Sequence, residues 1–152
     1  INNITDSVIR DHRIVVLATA AQALSEVIKI LAAHGITADH LMVCAAKGIE
    51  ISTMRLPGQI ITEALGEEAG KKAVFLSGPS FASEVANHQP TAVVAASHDA
   101  GREQAVQALF HAPQFRVYTS DDPVGVELAG ALKNVIAIAA GASVGLGFEM
   151  NS

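Results

Sequence analysis

The sequence predicts an α/β fold: a mostly parallel, doubly wound sheet followed, from residue 122, by the first helix of a helical unit. Three observations carry this expectation. Short runs of β-branched and aliphatic residues recur along the chain, and helix-length stretches punctuated by Gly, Pro or Asp separate them. Half of the 152 residues are hydrophobic while only 4% are aromatic, which suits close helix-on-sheet packing better than an all-β sandwich. Beyond Asp122 no further strand is readable.

The elements follow in order. Arg13 to Thr19 (RIVVLAT) is β-branched and almost continuously apolar, as a strand buried on both faces should be. Leu24, Val27, Ile28 and Leu31 recur at helical spacing, and Gly35 stands where that helix should end. Leu41 to Ala46 (LMVCAA) reads as a second buried strand, and Pro57 opens a helix carrying Ile60, Ile61, Ala64 and Leu65 that Gly66 closes. Ala73 to Leu76 is a short strand, followed by Ser77-Gly78-Pro79-Ser80 and a helix from Phe81 to Ala86. Thr91 to Ala96 is the next strand, and Asp99 caps a helix bearing Val106, Leu109 and Phe110. Phe115 to Thr119 is the last strand, and on sequence grounds the last strands are free to pair in either direction. Asp122-Pro123 then forms the cap and first turn of a long helix that includes the nearly apolar run Leu128 to Ala142 (LAGALKNVIAIAAGA). Two units are therefore expected, a sheet domain over 1–121 and the start of a helical domain over 122–152.

Composition excludes several function classes. A formal charge of −5 and a pI near 5.6 leave no basic stripe, so nucleic acid is not an expected partner. The single cysteine, Cys44, rules out an internal disulfide and fits a reducing, cytoplasmic setting; lying in a strand, it reads as inert packing. No targeting segment is readable, and the uncharged stretch Asn134 to Phe148 falls short of the ~20 apolar residues of a membrane span. The histidines show no metal-ligand spacing, so no metal site is expected. Ser80 lacks the paired glycines of a nucleophile elbow.

The chemistry should gather at one edge. In an open parallel sheet, ligands bind beyond the carboxyl ends of the strands, where Thr19, Lys47-Gly48 and Ser77-Gly78-Pro79-Ser80 fall. The last of these precedes a helix whose free amides and dipole favour an anionic or polar oxygen. Lys133, beside Asn134 in its apolar run, should lose hydration, and burial with a second cation such as Lys47 should lower its pKa toward that of a usable base. On the residues alone other readings stand beside these: Lys133 laying its stem on apolar surface with its head in water, Lys47-Gly48 as a strand end, Ser77 to Ser80 as a turn with a serine cap, and Asp121-Asp122 as a solvated cap.

Several ordered motifs narrow the choice: AAKGIE (Ala45 to Glu50), LSGPSFA (Leu76 to Ala82) with Glu84-Val85, Pro90-Thr91-Ala92, Phe115-Arg116-Val117-Tyr118, Gly125-Val126-Glu127-Leu128 and GALKNVIAI (Gly130 to Ile138). Together they cover nearly the whole chain, which resembles the bacterial-type NAD(P)-dependent glycerol-3-phosphate dehydrogenases. The resemblance implies a partial Rossmann-type sheet joined to an all-helical domain, a nicotinamide cofactor (NAD or NADP) and a small phosphorylated substrate. It implies Lys133 as the proton acceptor from the C2 hydroxyl of sn-glycerol 3-phosphate and Lys47 as a contact to both substrate and cofactor. Gly78, Ser80 and the adjacent Asn134 take substrate-binding roles by the same resemblance, and Ala82 a cofactor-binding one.

It also implies that a glycine-rich fingerprint belongs before Ile1 and a Ser-Arg-Asn-type segment beyond Ser152. On that reading the segment is the middle of an enzyme, inactive alone and expected to associate with itself or a partner. The chain departs from the family at Ala20 and Ala21, where a proline and a serine are usual, at Val144 for an aspartate, and at Glu149 for a glycine. The alternatives are a related β-hydroxyacid-type dehydrogenase and a non-catalytic remnant serving as an interaction module.

Overall fold

Strands that are apolar on both faces need cover on both, and the chain supplies it for the inner strands but not for the first, whose Ile14 and Val16 stay exposed against the expectation of burial on both faces. The computed structural model describes residues 4–148. Within them β1 (Ile14–Leu17), β2 (Leu41–Cys44), β3 (Val74–Ser77), β4 (Thr91–Ala96) and β5 (Phe115–Ser120) form one sheet in that spatial order. The helices are α1 (Asp6–Asp11), α2 (Leu24–Ala33), α3 (Pro57–Leu65), α4 (Glu67–Lys72), α5 (Ala82–Ala86), α6 (Ala100–Phe110) and α7 (Pro123–Gly145), with a short 3-10 turn at Ala21–Ala23 before α2. Strands β1, β2 and β3 are parallel, β4 runs antiparallel to β3, and β5 is parallel to β4. The pairing left open by the sequence is thus settled, with one reversal in the sheet.

Alternation along the strands divides the core in two. Met42, Cys44 and Phe75 face a cluster containing Leu24 and Ile28 of α2 and Ile60 and Ile61 of α3. Val43, Val74, Val93, Ala95 and Val117 face Val106 of α6 from the other side. Fully buried side chains such as Leu24, Ile28 and Ile61 each contribute about 1.5–3 kcal/mol relative to exposure.

The sequence-derived elements are present with shifted edges; Arg13 to Thr19, for example, contracts to Ile14–Leu17. Two six-residue helices were not anticipated. α1 is capped by Thr5, whose Oγ1 accepts from Val8 N, and α4 places Glu67 and Glu68 in its first turn and Lys71 and Lys72 in its last, matching the helix dipole. Gly66, at φ +91, ends α3 and begins α4 without a Cβ penalty.

Two expectations about the long helix are corrected. Asp122 Oδ1 caps α7 by accepting from Gly125 N at 2.8 Å, as the sequence implied, and the first turns pack on β3, β4 and α3. From Leu132 onward, however, α7 is exposed apart from the half-buried Ser143, Lys133 and Asn134 included. The apolar run is therefore not a buried one. Moreover, α7 as a whole is 23 residues long with a mean hydropathy of 1.5 over its most apolar window, long and apolar enough by length and composition to cross a membrane. The uncharged run alone had argued otherwise, since it stops at Lys133. Glu149 lies outside the described residues.

Candidate active site

The three parallel strands deliver their ends to one edge, and α7 crosses the same edge. Lys47 follows β2, and its Nζ donates to the Gly78 carbonyl at 2.8 Å and to Ser80 Oγ at 2.9 Å. Those acceptors belong to the turn after β3, where Gly78 sits at φ +151 with β4 pressed against it: a Cβ there would lie 2.7 Å from the Ala92 carbonyl oxygen. The turn is thus wedged rather than loose. Gly130 of α7 plays the matching part, since a Cβ on it would stand 2.6 Å from Ser77 Oγ; its absence lets the helix approach the end of β3.

Lys47, Ser77, Gly78, Pro79, Gly130 and Lys133, with apolar side chains of β4 and α7, line a largely apolar cavity of about 270 Å³. Partial loss of hydration pulls the Lys47 ammonium below the usual lysine range, and the positive charge of Lys133 lowers it further. The Lys133 Nζ stands 5.1 Å from the centroid of the exposed Phe81 ring, a cation–π contact worth about 0.5–1 kcal/mol at such a site.

Of the residues singled out earlier, Lys47, Gly78, Ser80 and Lys133 come together here. Asn134 and Ala82 are exposed and do not line this cavity. α5 has five residues, so the expected dipole at its start is weak, few peptide units being aligned. Thr19 Oγ1, after β1, is buried with no hydrogen-bond partner. Cys44 is 1% exposed, and burial pushes its thiol up to about 12, consistent with packing.

Sequence reasoning assigned no role to four residues that shape this edge. Glu50 accepts from Ser25 Oγ and Thr53 Oγ1, bonds that hold its carboxyl below the usual range, while Gln22 donates to the Ile49 carbonyl at 2.8 Å and accepts from Ile51 N at 3.0 Å. These bonds fix the loop after Lys47-Gly48. Phe81 and Glu127 were seen only as parts of motifs, although a lone carboxylate in the apolar start of α7 was a readable signal.

The decisive comparison is with protein families. Residues 2–103 match the family model described as NAD-dependent glycerol-3-phosphate dehydrogenase N-terminus, and residues 122–152 match its C-terminus counterpart. The chain belongs to the NAD-dependent glycerol-3-phosphate dehydrogenase family. It is 48% identical over 138 residues to a curated glycerol-3-phosphate dehydrogenase of Syntrophotalea carbinolica, covering 91% of this chain and 41% of that protein. With the Geobacter sulfurreducens enzyme the identity is 54% over 112 residues, 74% of this chain and 33% of the relative. The chain therefore spans about two fifths of the length of the glycerol-3-phosphate dehydrogenases it matches. Among solved structures, the glycerol-3-phosphate dehydrogenase of Coxiella burnetii superposes with a TM-score of 0.78 at 32% identity, covering 96% of this chain and 43% of that one. That of Plasmodium falciparum gives 0.83 at 25% identity, over 99% and 42%.

Proposed function

We propose that this chain is the catalytic middle of an oxidoreductase that interconverts sn-glycerol 3-phosphate and dihydroxyacetone phosphate with NAD or NADP, supplying the glycerol phosphate of phospholipids. The observation that carries the reading is the meeting of Lys47 and Lys133 at one cavity, on motifs that match the family. The Lys47 ammonium favours a phosphorylated ligand, and Lys133 beside it is left for proton transfer.

The chain fits a nicotinamide cofactor at this edge. The unpartnered Thr19 hydroxyl offers a hydrogen bond at the end of β1, and the wedged backbone at Gly78 offers a close, rigid wall. Lys47 and Ala82 would hold the cofactor, and a bound nicotinamide supplies the hydride acceptor or donor. The substrate is assigned to Lys47, Gly78, Ser80 and Asn134. During oxidation the neutral Lys133 amine takes the C2 hydroxyl proton as the C2 hydride departs; during reduction the ammonium returns that proton to the ketone oxygen. Hydration at its exposed position would be stripped by the substrate and by the rest of the enzyme.

Two units, 1–121 and 122–152, are part of the same proposal, and the separate family matches on either side of residues 104–121 support it. The apolar surface of α7 is then the core of a helical domain rather than a membrane span, and the carboxyl of Glu127 and the ammonium of Lys133 within that helix support this choice. A cytoplasmic location follows. The test is Lys133→Ala in the full-length enzyme: kcat should fall by about 10²–10⁴-fold, the usual worth of a general acid–base group, while nicotinamide binding persists. Near-normal turnover would remove Lys133 from the mechanism.

A further inference from the structure

Glu127 is a carboxyl that the reaction does not use and the fold hides. It is 9% exposed, and its Oε1 accepts a 2.7 Å hydrogen bond from the backbone N–H of Gly58, in the first turn of α3. A Cβ on Gly58 would lie 3.0 Å from Glu127 Oε2 and 3.2 Å from the Phe75 ring, so carboxyl, ring and α3 backbone converge on one point. Burying a carboxyl is costly without a donor, and first-turn amides, which the helix itself leaves unsatisfied, are well placed to provide one. Among the described residues this is the one hydrogen bond that ties α7 to another helix or strand.

Its position along α7 gives the bond its meaning. Glu127 meets α3, Gly130 one turn later meets Ser77, and Lys133 a turn beyond reaches the cavity. The Gly130 contact limits how close α7 lies to the sheet but leaves it free to slide or roll; a directional hydrogen bond removes that freedom. We propose that Glu127 is a positioning residue, whose bond to the Gly58 amide sets the register of α7 and so places Lys133 against Lys47 and the substrate. The inference rests on Lys133 being the proton acceptor.

The test compares the full-length enzyme with its Glu127→Gln and Glu127→Ala variants, measuring kcat, both KM values and hydrogen exchange at the Gly58 amide. Glutamine keeps an acceptor and should keep kcat within about threefold, whereas alanine should lose about tenfold or more, as small misplacements of reacting groups do. The alanine variant should hold KM for the nicotinamide within about twofold while the Gly58 amide loses protection and the β2 and β3 amides keep theirs. Wild-type kcat in E127A, or an equal loss in E127Q and E127A, would overturn the proposal. Should E127A fail to fold, E127D takes its place, its carboxylate one methylene short of Gly58, with the same loss expected and the same result overturning it. A wild-type enzyme inert toward dihydroxyacetone phosphate would instead sink the functional reading, and Gly58 exchange would still report whether Glu127 holds α7.

Discussion

At the residue scale, the turn that receives Lys47 depends on an absent side chain. Gly78 combines a left-handed φ with backbone contact to both Ala92 and Val93, so Gly78→Ala has to push β3 and β4 apart or twist the turn. Equilibrium urea denaturation should show a loss on the order of 1–3 kcal/mol. An alanine variant with an unchanged midpoint would mean the turn relaxes freely and the wedge is unimportant. Much of this corner was legible in the sequence, because Lys47, Gly78 and Ser80 each follow a readable strand and a parallel sheet brings such ends together. Phe81 was not, since its contact to Lys133 depends on the path of a helix far along the chain. Nor was the hydration of Lys133, which depends on what lies beside α7 and not on the apolarity of its sequence neighbours.

At the element scale, the seam between α3 and α7 should respond to pH. Burial raises the Glu127 carboxyl to about 7, against the opposing pull of the Gly58 N–H. With its folded pKa above the unfolded value near 4.3, the folded chain holds a proton that the unfolded chain has released. The resulting stabilisation is complete below the unfolded pKa and is lost as pH rises through the folded one. Glu127 lines a second cavity, separate from the lysine one, together with Glu63 of α3, Glu67 and Lys71 of α4 and His98 after β4, and Cys44 of β2 lies within its electrostatic reach. Between about pH 5 and pH 7 the unfolding free energy should therefore decline in the wild-type chain and decline less in Glu127→Gln. Equal slopes in denaturant titrations would move the responsible ionisation elsewhere. The caps and stops at Pro57, Gly66, Asp99 and Asp122 made their helices readable in advance. α1 and α4 are six residues each, too short for a periodic pattern to emerge.

At the scale of the whole molecule, large apolar side chains stand exposed along one helix and one strand of the described surface. Val135, Ile136, Ile138 and Val144 of α7 are 62–74% exposed, and Ile14 and Val16 of β1 are 42% and 47% exposed. Sedimentation velocity on the 152-residue segment by itself should accordingly reveal dimers or larger species. A monodisperse monomer would count against assigning α7 to a separate helical domain.

The single reversal between β3 and β4 has a metrical consequence. It sends the end of β5 to the edge of the sheet opposite the lysine cavity, so the chain enters α7 on the wrong side and has to travel back. From Pro123 to Lys133 the helix climbs about 15 Å, roughly the height of four or five strand residues. The opening turns of α7 thus serve as a ruler laid against the sheet. One residue inserted there would carry the ammonium about 1.5 Å too far and swing it by about a quarter turn. In that stretch the number of residues is constrained more tightly than most of their identities.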